Sequence, residues 1–367
     1  ALLNEELGDF KKSKKYYKKA LVLDINNLEI YLKLSQFDQD ILNSNLEKKV
    51  DYIIKKKDSN KNNIVSAYYL KAKYHLMKKE FNKEFNCLLN AHDIYFELEK
   101  KKFIPNLKYW LEYMPNFQNL NFNKNFNLNN NFKNLKPIFI VGLPRSGSTI
   151  LEKILISGDK QIISGEETGI LNNIIKKRLI VEGNIKTNDK SILNEIINSY
   201  INRNILNVKK DVFTDKSLEN FFFINLILYV FPKAKIVHCK RNIKSCVISI
   251  IKNNLKDLPW AHKLDHIYKY INIYFKIINF YKTKFPSSIF EVNLEDIIKN
   301  PEIELKKVFN YCELPWHPKS LNFYKKNDIT SKTASNIQIR KPINTHVENH
   351  DHYKNFLDDM KQSISTF

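Results

Sequence analysis

The chain has 367 residues, enough for two domains with cores of their own. Hydrophobic residues make up 43% and aromatic residues 13%, which excludes an intrinsically disordered protein. The formal net charge is +21, but Lys, Asn, Ile, Phe and Tyr are all over-used, as an AT-rich genome would produce. We therefore expect attraction to anionic ligands rather than a specific nucleic-acid site.

Hydropathy and cysteine usage exclude further classes of protein. No uncharged apolar run of about 18 residues is present, so the sequence predicts no membrane span. The four cysteines are scattered without the CxxC spacing of a zinc site. This usage also argues against a disulfide framework and suits a reducing compartment. We expect a cytoplasmic protein that holds no metal.

The first hundred residues carry a helical pattern that recurs. Phe10 and Ala20 lie at helical spacing after a glycine turn, and Phe81 and Ala91 match them 71 positions later. This distance is close to twice the period of about 34 residues of tetratricopeptide repeats, which residues 1–114 resemble. Such repeats stack through their helix faces and either bind peptides or pack on a neighbouring domain. The pattern leaves both roles open.

The rest of the chain divides into a linker and an α/β domain. Residues 115–136 are rich in Asn and Phe without helical periodicity, which is typical of a linker. In residues 137–367, an apolar strand follows Pro137, and short apolar runs predict strands at 212–214, 235–239 and 289–292. Strands that alternate with helices predict a parallel sheet covered by helices on both faces.

A phosphate-binding loop is predicted after the first strand. Five of the seven glycines lie between Gly142 and Gly169, and a chain so poor in glycine is expected to place them where the backbone approaches a ligand. GLPRSGST, residues 142–149, joins the strand to a helix, where backbone amides converge on an anion. Its spacing copies the Walker A loop, but Ser148 replaces the lysine, which disfavours a kinase or ATPase. Arg145 would supply the charge instead.

A second anion-binding pair is predicted at the end of a later strand. Arg241 follows the strand KIVHCK, and Ser249 comes eight residues later, roughly two helical turns on. Both side chains then face the same side and can hold one phosphate.

With these motifs the chain resembles sulfotransferases that use 3′-phosphoadenosine-5′-phosphosulfate (PAPS). It is most similar to tyrosylprotein sulfotransferases and to bacterial proteins that join tetratricopeptide repeats to a sulfotransferase domain. The resemblance runs from about Pro137 to His350 and implies a P-loop-like α/β fold. It implies that Arg241 and Ser249 hold the 3′-phosphate, which distinguishes PAPS from ATP. It assigns the 5′-phosphosulfate to Arg145, Ser146, Gly147, Ser148 and Thr149.

The resemblance also implies catalytic residues. GEET, residues 165–168, matches the family run whose glutamate just before the threonine is the catalytic base, which is Glu167 here. Glu166 takes this role if the register slips. Lys216, after a short apolar run, matches the strand-end lysine that stabilises the leaving oxygen, with assistance from Arg145. Gly169 stands where the family has an arginine that holds an acidic acceptor peptide, which argues against such a peptide here.

The segment SNIQIRKPIN, residues 335–344, resembles the loop that closes over the nucleotide in tyrosylprotein sulfotransferases. The match implies that Lys341 lies over the nucleotide phosphates and Ser335 near the transferring group. Arg340 is a neighbouring candidate for the phosphate contact.

The sequence therefore predicts a sulfotransferase that moves a sulfuryl group from PAPS to an acceptor hydroxyl by in-line transfer, with a Glu base and without a metal. Protein tyrosine, a carbohydrate and a small molecule are the candidate acceptors, and a peptide is a candidate partner of the helical repeats. The alternative is a peptide-binding repeat scaffold whose α/β domain binds nucleotide without catalysis.

Overall fold

The computed structural model describes residues 1–56, 60–120, 122, 135–158, 162–182, 190–206, 212–325, 333, 335–343 and 350–357. Most of the predicted linker, residues 121 and 123–134, lies outside these ranges.

The N-terminal region is helical, as predicted. Side chains of Asp9, Asn43 and Asn60 each accept a hydrogen bond from an amide in the first turn of the following helix, so the abundant Asn and Asp residues begin helices. Phe10 and Phe81, the matched residues of the sequence repeat, each begin a helix. The helices are α1 (Leu2–Glu6), α2 (Phe10–Leu23), α3 (Leu28–Leu34), α4 (Ser44–Lys55), α5 (Lys61–Met77), α6 (Phe81–Leu98) and α7 (Lys100–Lys108).

Helical turns continue beyond α7 into the segment predicted as linker. A π-helical turn covers Tyr109–Tyr113 and a 3-10 helix covers Met114–Asn119. Phe117 is buried and packs edge-on against Phe223 of the α/β domain, with ring centroids 5.0 Å apart. Aromatic burial therefore holds the start of this segment against the following domain.

Four parallel strands form the predicted sheet in the order β2-β1-β3-β4. They are β1 (Ile138–Gly142), β2 (Thr214–Asp215), β3 (Lys235–Lys240) and β4 (Ile289–Asn293). β2 is only two residues long, and Phe213 before it forms an isolated parallel bridge with Ile163. β1, β3 and β4 lie where the apolar runs predicted them, whereas β2 shares only Thr214 with the run predicted at 212–214.

Helices follow the strands in the α/β domain. They are α8 (Ser148–Gly158), α9 (Ile170–Glu182), α10 (Lys190–Asn202), α11 (Ile224–Val230), α12 (Ile243–Ile251), α13 (Leu264–Lys284), α14 (Leu294–Lys299) and α15 (Pro301–Tyr311). Across the described ranges, no helix combines the length and apolarity that a bilayer crossing requires.

β1 is buried along its entire length, and its side chains alternate between two cores. Ile138 and Ile140 face a core that includes residues of α8 and α15. Phe139 and Val141 face the larger core, which extends to Phe85 of α6 in the N-terminal region. Part of the helical region therefore shares a continuous apolar core with the sheet, whereas Leu28, Val50 and Leu70 belong to a separate core within that region.

A buried histidine pair lies where the two regions meet. Nδ1 of His92 in α6 lies 2.9 Å from Nδ1 of His262, and Nε2 of His92 lies 2.8 Å from the carbonyl oxygen of Ile251. Because a carbonyl oxygen only accepts, Nε2 of His92 is the donor in that contact, and in a neutral His92 ring Nδ1 accepts from Nδ1 of His262. Burial lowers the pKa of His92 to about 4 and that of His262 to about 3.

This pair predicts a loss of stability in acid. The unfolded histidines have pKa values of about 6.5, so between about pH 6.5 and 4 the unfolded chain binds protons that the folded chain rejects. The wild-type free energy of unfolding should therefore fall as the pH drops through this window. His262→Phe keeps an aromatic ring against Phe103. In this variant the free energy of unfolding should fall by about 1–2 kcal/mol less than in wild type between pH 7.5 and 5, as measured by urea titration. The exposed His317→Gln is the control, and an equal reduction there would contradict the assignment.

Candidate functional site

The candidate residues lie at the carboxyl ends of three neighbouring strands. From β1 the chain moves to β2 on one side and later to β3 on the other, so the strand order reverses at β1. In open parallel sheets a ligand crevice forms beyond the carboxyl ends of the strands at such a point. The loop after β1, Lys216 after β2 and Arg241 after β3 all belong to this edge.

The loop after β1 has the backbone conformation of an anion-binding turn. Arg145 and Gly147 have φ angles of 71° and 92°, and a Cβ on Gly147 would lie only 2.7 Å from a methyl carbon of Leu294. α8 begins at Ser148, so the amides of its first turn face the loop. Among the described atoms, the buried Oγ of Ser146 has no hydrogen-bond partner. A buried hydroxyl beside a helix N-terminus fits a phosphate or sulfate oxygen.

Arg145 joins the phosphate loop to two distant segments. Its Nε donates to Oγ of Ser249 at 2.9 Å, Nη1 donates to Oγ of Ser335 at 2.7 Å, and Nη2 donates to Oε1 of Gln338 at 2.8 Å. Nη1 of Arg241 donates to the carbonyl oxygen of Arg145 at 3.0 Å. Four of the residues predicted from sequence therefore lie in one contiguous group. Gln338 was not among the predicted residues.

The two glutamates of GEET contact different lysines. Oε1 of Glu166 accepts from Nζ of Lys153 at 2.8 Å, whereas Oε1 of Glu167 accepts from Nζ of Lys216 at 2.6 Å. Glu166 has a φ of 54°, so the chain turns sharply between the two side chains. The Glu167 side chain is 51% exposed, and the Lys216 side chain is 1% exposed. Glu167 thus lies at the boundary between solvent and a buried cation.

The charge of Lys216 is maintained by carboxylates. Burial alone would lower its pKa, but Glu167, Glu152 and Glu166 hold the pKa above its ordinary value. Its backbone amide also donates to the carbonyl oxygen of Glu166 at 2.7 Å, which fixes the turn against β2. The structure therefore places a positive charge beneath a solvent-facing carboxylate.

Two buried acidic residues that the sequence did not indicate hold this turn in place. Oε1 of Glu152 in α8 accepts from the amide of Glu166 at 3.1 Å and from Oγ1 of Thr214 at 2.7 Å. Oδ2 of Asp215 accepts from Oγ1 of Thr168 at 2.6 Å and from the Tyr200 hydroxyl at 2.5 Å. Glu152 lies inside a helical pattern, and Thr168 is 47 positions from Asp215, so no local signal identified these contacts.

The two basic residues of the C-terminal segment are placed differently. Lys341 is exposed, and its amide donates to the carbonyl oxygen of Gln338 at 3.0 Å. The Arg340 guanidinium instead reaches the N-terminal helices, where its centre lies 5.4 Å from the centroid of the Phe10 ring. Arg340 is thus not grouped with Arg145 and Arg241.

This arrangement combines an anion-binding loop, a buried ammonium group and a half-exposed carboxylate at one sheet edge. Such a set can hold an anionic donor, stabilise an anionic leaving group and accept a proton. In the described part of the chain, no group of three or more His, Cys, Asp or Glu side chains is positioned to hold a metal ion.

Comparisons with known proteins agree with this geometry. Residues 137–318 match the profile described as the sulfotransferase family. An uncharacterised protein of Aquifex aeolicus is 31% identical over 238 residues, which cover 60% of this chain and 31% of that protein. Protein-tyrosine sulfotransferase A of Caenorhabditis elegans is 24% identical over 232 residues, which cover 56% of this chain and 58% of that protein.

A solved sulfotransferase domain also resembles this chain. The domain from the Synechococcus PCC 7002 olefin synthase is 18% identical, with a TM-score of 0.43 over 68% of this chain and 98% of that domain.

Glu219 is a further titratable group beside the site, and the sequence did not indicate it. It lies in the 3-10 helix Leu218–Phe223, directly after Lys216 and Ser217. Burial raises its pKa to about 7, and the negative charges of Glu167 and Asp215 add to the increase.

Because the pKa of Glu219 is raised in the folded protein, we predict that the free energy of unfolding falls as the pH rises. The unfolded carboxyl has a pKa of about 4.3, so between about pH 4.5 and 7 the unfolded chain releases a proton that the folded chain retains. Glu219→Gln should therefore be more stable relative to wild type at pH 8 than at pH 5, by about 1–3 kcal/mol in urea titrations. The exposed Glu302→Gln is the matched control. The same stability difference at both pH values would rule out a raised pKa.

Proposed function

We propose that this chain, whose residues 137–318 match the profile described as the sulfotransferase family, transfers a sulfuryl group from PAPS to an acceptor hydroxyl. The observation that carries the proposal is the contiguous group of Arg145, Arg241 and Ser249 at the same sheet edge as the Lys216–Glu167 pair. The group of Arg145, Arg241 and Ser249 suits a nucleotide with two separate phosphate groups. The Lys216–Glu167 pair suits proton transfer.

In this proposal the phosphate loop binds the 5′-phosphosulfate. The amides of the first turn of α8 and the Arg145 guanidinium would hold its oxygens, together with the hydroxyls of Ser146, Ser148 and Thr149. Gly147 allows the turn of this loop, because a Cβ there would collide with Leu294.

The 3′-phosphate is assigned to Arg241 and Ser249. Arg241 already lies against the loop through the carbonyl oxygen of Arg145, and Ser249 is buried two helical turns into α12. A guanidinium and a hydroxyl at this spacing suit a phosphate dianion. We assign Lys341, which is exposed, to the outer side of the nucleotide phosphates, and Ser335 to the neighbourhood of the transferring group.

The chemical step would use Glu167 as the base. The acceptor hydroxyl gives its proton to the Glu167 carboxylate, its oxygen forms a bond to sulfur, and the bond from sulfur to the 5′-phosphate oxygen breaks. Lys216 and Arg145 would stabilise the charge that develops on that leaving oxygen. The exposure of Glu167 and the pairing of Glu166 with Lys153 support Glu167 as the base.

The acceptor class is set by the surface in front of Glu167. Gly169 gives no cation there for an acidic peptide, although the Caenorhabditis elegans relative is a protein-tyrosine sulfotransferase. The chain spans only 31% and 58% of the two relatives described above.

The acceptor is identified by incubating the protein with a cell extract and PAPS that carries labelled sulfate. This experiment tests protein tyrosine, carbohydrate and small-molecule hydroxyls together. Label that remains on the donor or appears only as free sulfate would favour a non-catalytic nucleotide-binding scaffold.

Arg241→Ala tests the donor. The variant should raise the Kd for 3′-phosphoadenosine-5′-phosphate (PAP) by about 10- to 100-fold, because a charge-assisted contact to the 3′-phosphate is lost. Binding of ADP, which lacks that phosphate, should change little in the same calorimetric titrations. Lys240→Ala removes an exposed neighbouring cation and serves as the control. Equal losses for PAP and ADP would contradict the 3′-phosphate assignment.

Glu167→Gln tests the base. Removing a general base should lower kcat by about 100-fold or more, whereas PAP affinity should stay within about twofold because the nucleotide contacts are elsewhere. Single-turnover transfer from labelled PAPS measures the step directly. Glu166→Gln is the comparison variant, and a larger loss of kcat there would exchange the roles of the two glutamates.

A further inference from the structure

The Arg340 guanidinium packs into the hairpin formed by α1 and α2. Its Nη2 donates to the carbonyl oxygen of Glu6 at 3.3 Å, and Nη1 donates to the carbonyl oxygen of Asn336 at 2.6 Å. The guanidinium also faces the Phe10 ring in cation–π geometry, with 5.4 Å between its centre and the ring centroid. Nδ2 of Asn336 donates to the carbonyl oxygen of Glu5 at 2.5 Å. The loop of residues 335–343 is therefore attached to the N-terminal helices at two points.

Gly8 provides the space that Arg340 occupies. It has a φ of 79°, and a Cβ added there would lie 2.6 Å from Cζ of Arg340. Only a residue without a side chain adopts this turn freely and also leaves room for the guanidinium. In a chain with seven glycines, this one lies more than 130 positions from the phosphate loop and contacts an arginine near the other end of the chain.

The same loop contacts the phosphate loop on its other side. Ser335 and Gln338 accept hydrogen bonds from Nη1 and Nη2 of Arg145 at 2.7 and 2.8 Å. Arg340 and Gln338 belong to one short 3-10 helix, Gln338–Arg340, which brings the two sets of contacts within one turn of each other. A continuous series of contacts thus runs from Gly8 through Arg340 and Gln338 to Arg145.

We propose that the hairpin of α1 and α2 contributes to nucleotide binding. It holds the 335–343 loop over the phosphate loop through the contact between Arg340 and Gly8. Arg340 is then a positioning residue rather than a phosphate ligand. This inference rests on the proposed function, since it concerns affinity for PAP. Its physical basis is that a loop held in its binding conformation loses less conformational freedom when the nucleotide binds.

The decisive experiment is a substitution outside the α/β domain. Gly8→Ala should displace the Arg340 guanidinium, because the long flexible side chain gives way more easily than the helix backbone. PAP affinity, measured by titration calorimetry on the full chain, should fall by about tenfold. Hydrogen exchange of residues 335–343 should become faster. Asn336→Ala, which removes the bond to the Glu5 carbonyl without altering the hairpin backbone, should act in the same direction if Gly8→Ala folds poorly.

A double-mutant cycle separates positioning from direct binding. If Gly8 and Arg340 act through the same contact, Gly8→Ala combined with Arg340→Met should weaken PAP binding no more than Arg340→Met alone. Additive losses, or a loss with Arg340→Met but none with Gly8→Ala, would overturn the inference in favour of a direct phosphate contact.

Two controls complete the design. Asn43→Ala removes the N-terminal cap of α4 and perturbs the helical region without touching the loop, so its PAP affinity should be unchanged. Arg178→Met removes a partly buried arginine that bonds Glu195, and it should also leave affinity unchanged. Wild-type protein that does not bind PAP would refute the proposed function and this inference together, whereas normal PAP binding by Gly8→Ala would refute only the inference.

Discussion

The ammonium group of Lys216 is almost completely buried at the end of β2, and the organisation of the site follows from this single charge. Removing an ion from water costs several kcal/mol unless partners compensate for it. Glu167 supplies the direct contact, while Glu152 and Glu166 add negative potential. The GEET turn must therefore pack against the strand end, and Glu167 is held at the surface with one oxygen on a cation. In the proposed reaction, the anionic leaving oxygen would replace Glu167 as the partner of Lys216, which would leave that carboxylate available to accept a proton.

Arg145 connects this electrostatic centre to the rest of the molecule. Its bonds to Ser249 and Ser335 join residues 104 and 190 positions apart in sequence. The left-handed backbone at Arg145 is unfavourable for a residue with a side chain, and such conformations persist where surrounding contacts determine them. Three side-chain acceptors and the Arg241 bond to its carbonyl provide those contacts. The phosphate loop is therefore shaped by contacts with segments that are distant in sequence.

Features that depend on a local sequence pattern could be predicted, whereas features that depend on long-range contacts could not. β1 was predictable because a continuous apolar run before a glycine turn is a local pattern, and the same applies to β3 and the residues that follow it. The positions of Glu152 and Asp215 were not predictable, because their partners are chosen by how helices pack on the sheet. Arg340 was a candidate for the phosphate contact because it is next to Lys341 in the sequence, and that position carries no information on the direction of its side chain. Arg340 turns toward Gly8 because the N-terminal hairpin offers it a carbonyl and an aromatic face.

The relationship between the helical region and the sheet follows from the same reasoning. An independent repeat module would meet the α/β domain across a polar interface of moderate size. Here Phe85 of α6 belongs to the same apolar core as Phe139 of β1, and the neutral His92–His262 pair lies between the two regions. Separating them would expose a large apolar surface, so the two regions are expected to unfold as one cooperative unit. No residue of α1 or α2 is among the described members of this core, so the hairpin reaches the loop beside Arg145 through its own contacts with Arg340 and Asn336.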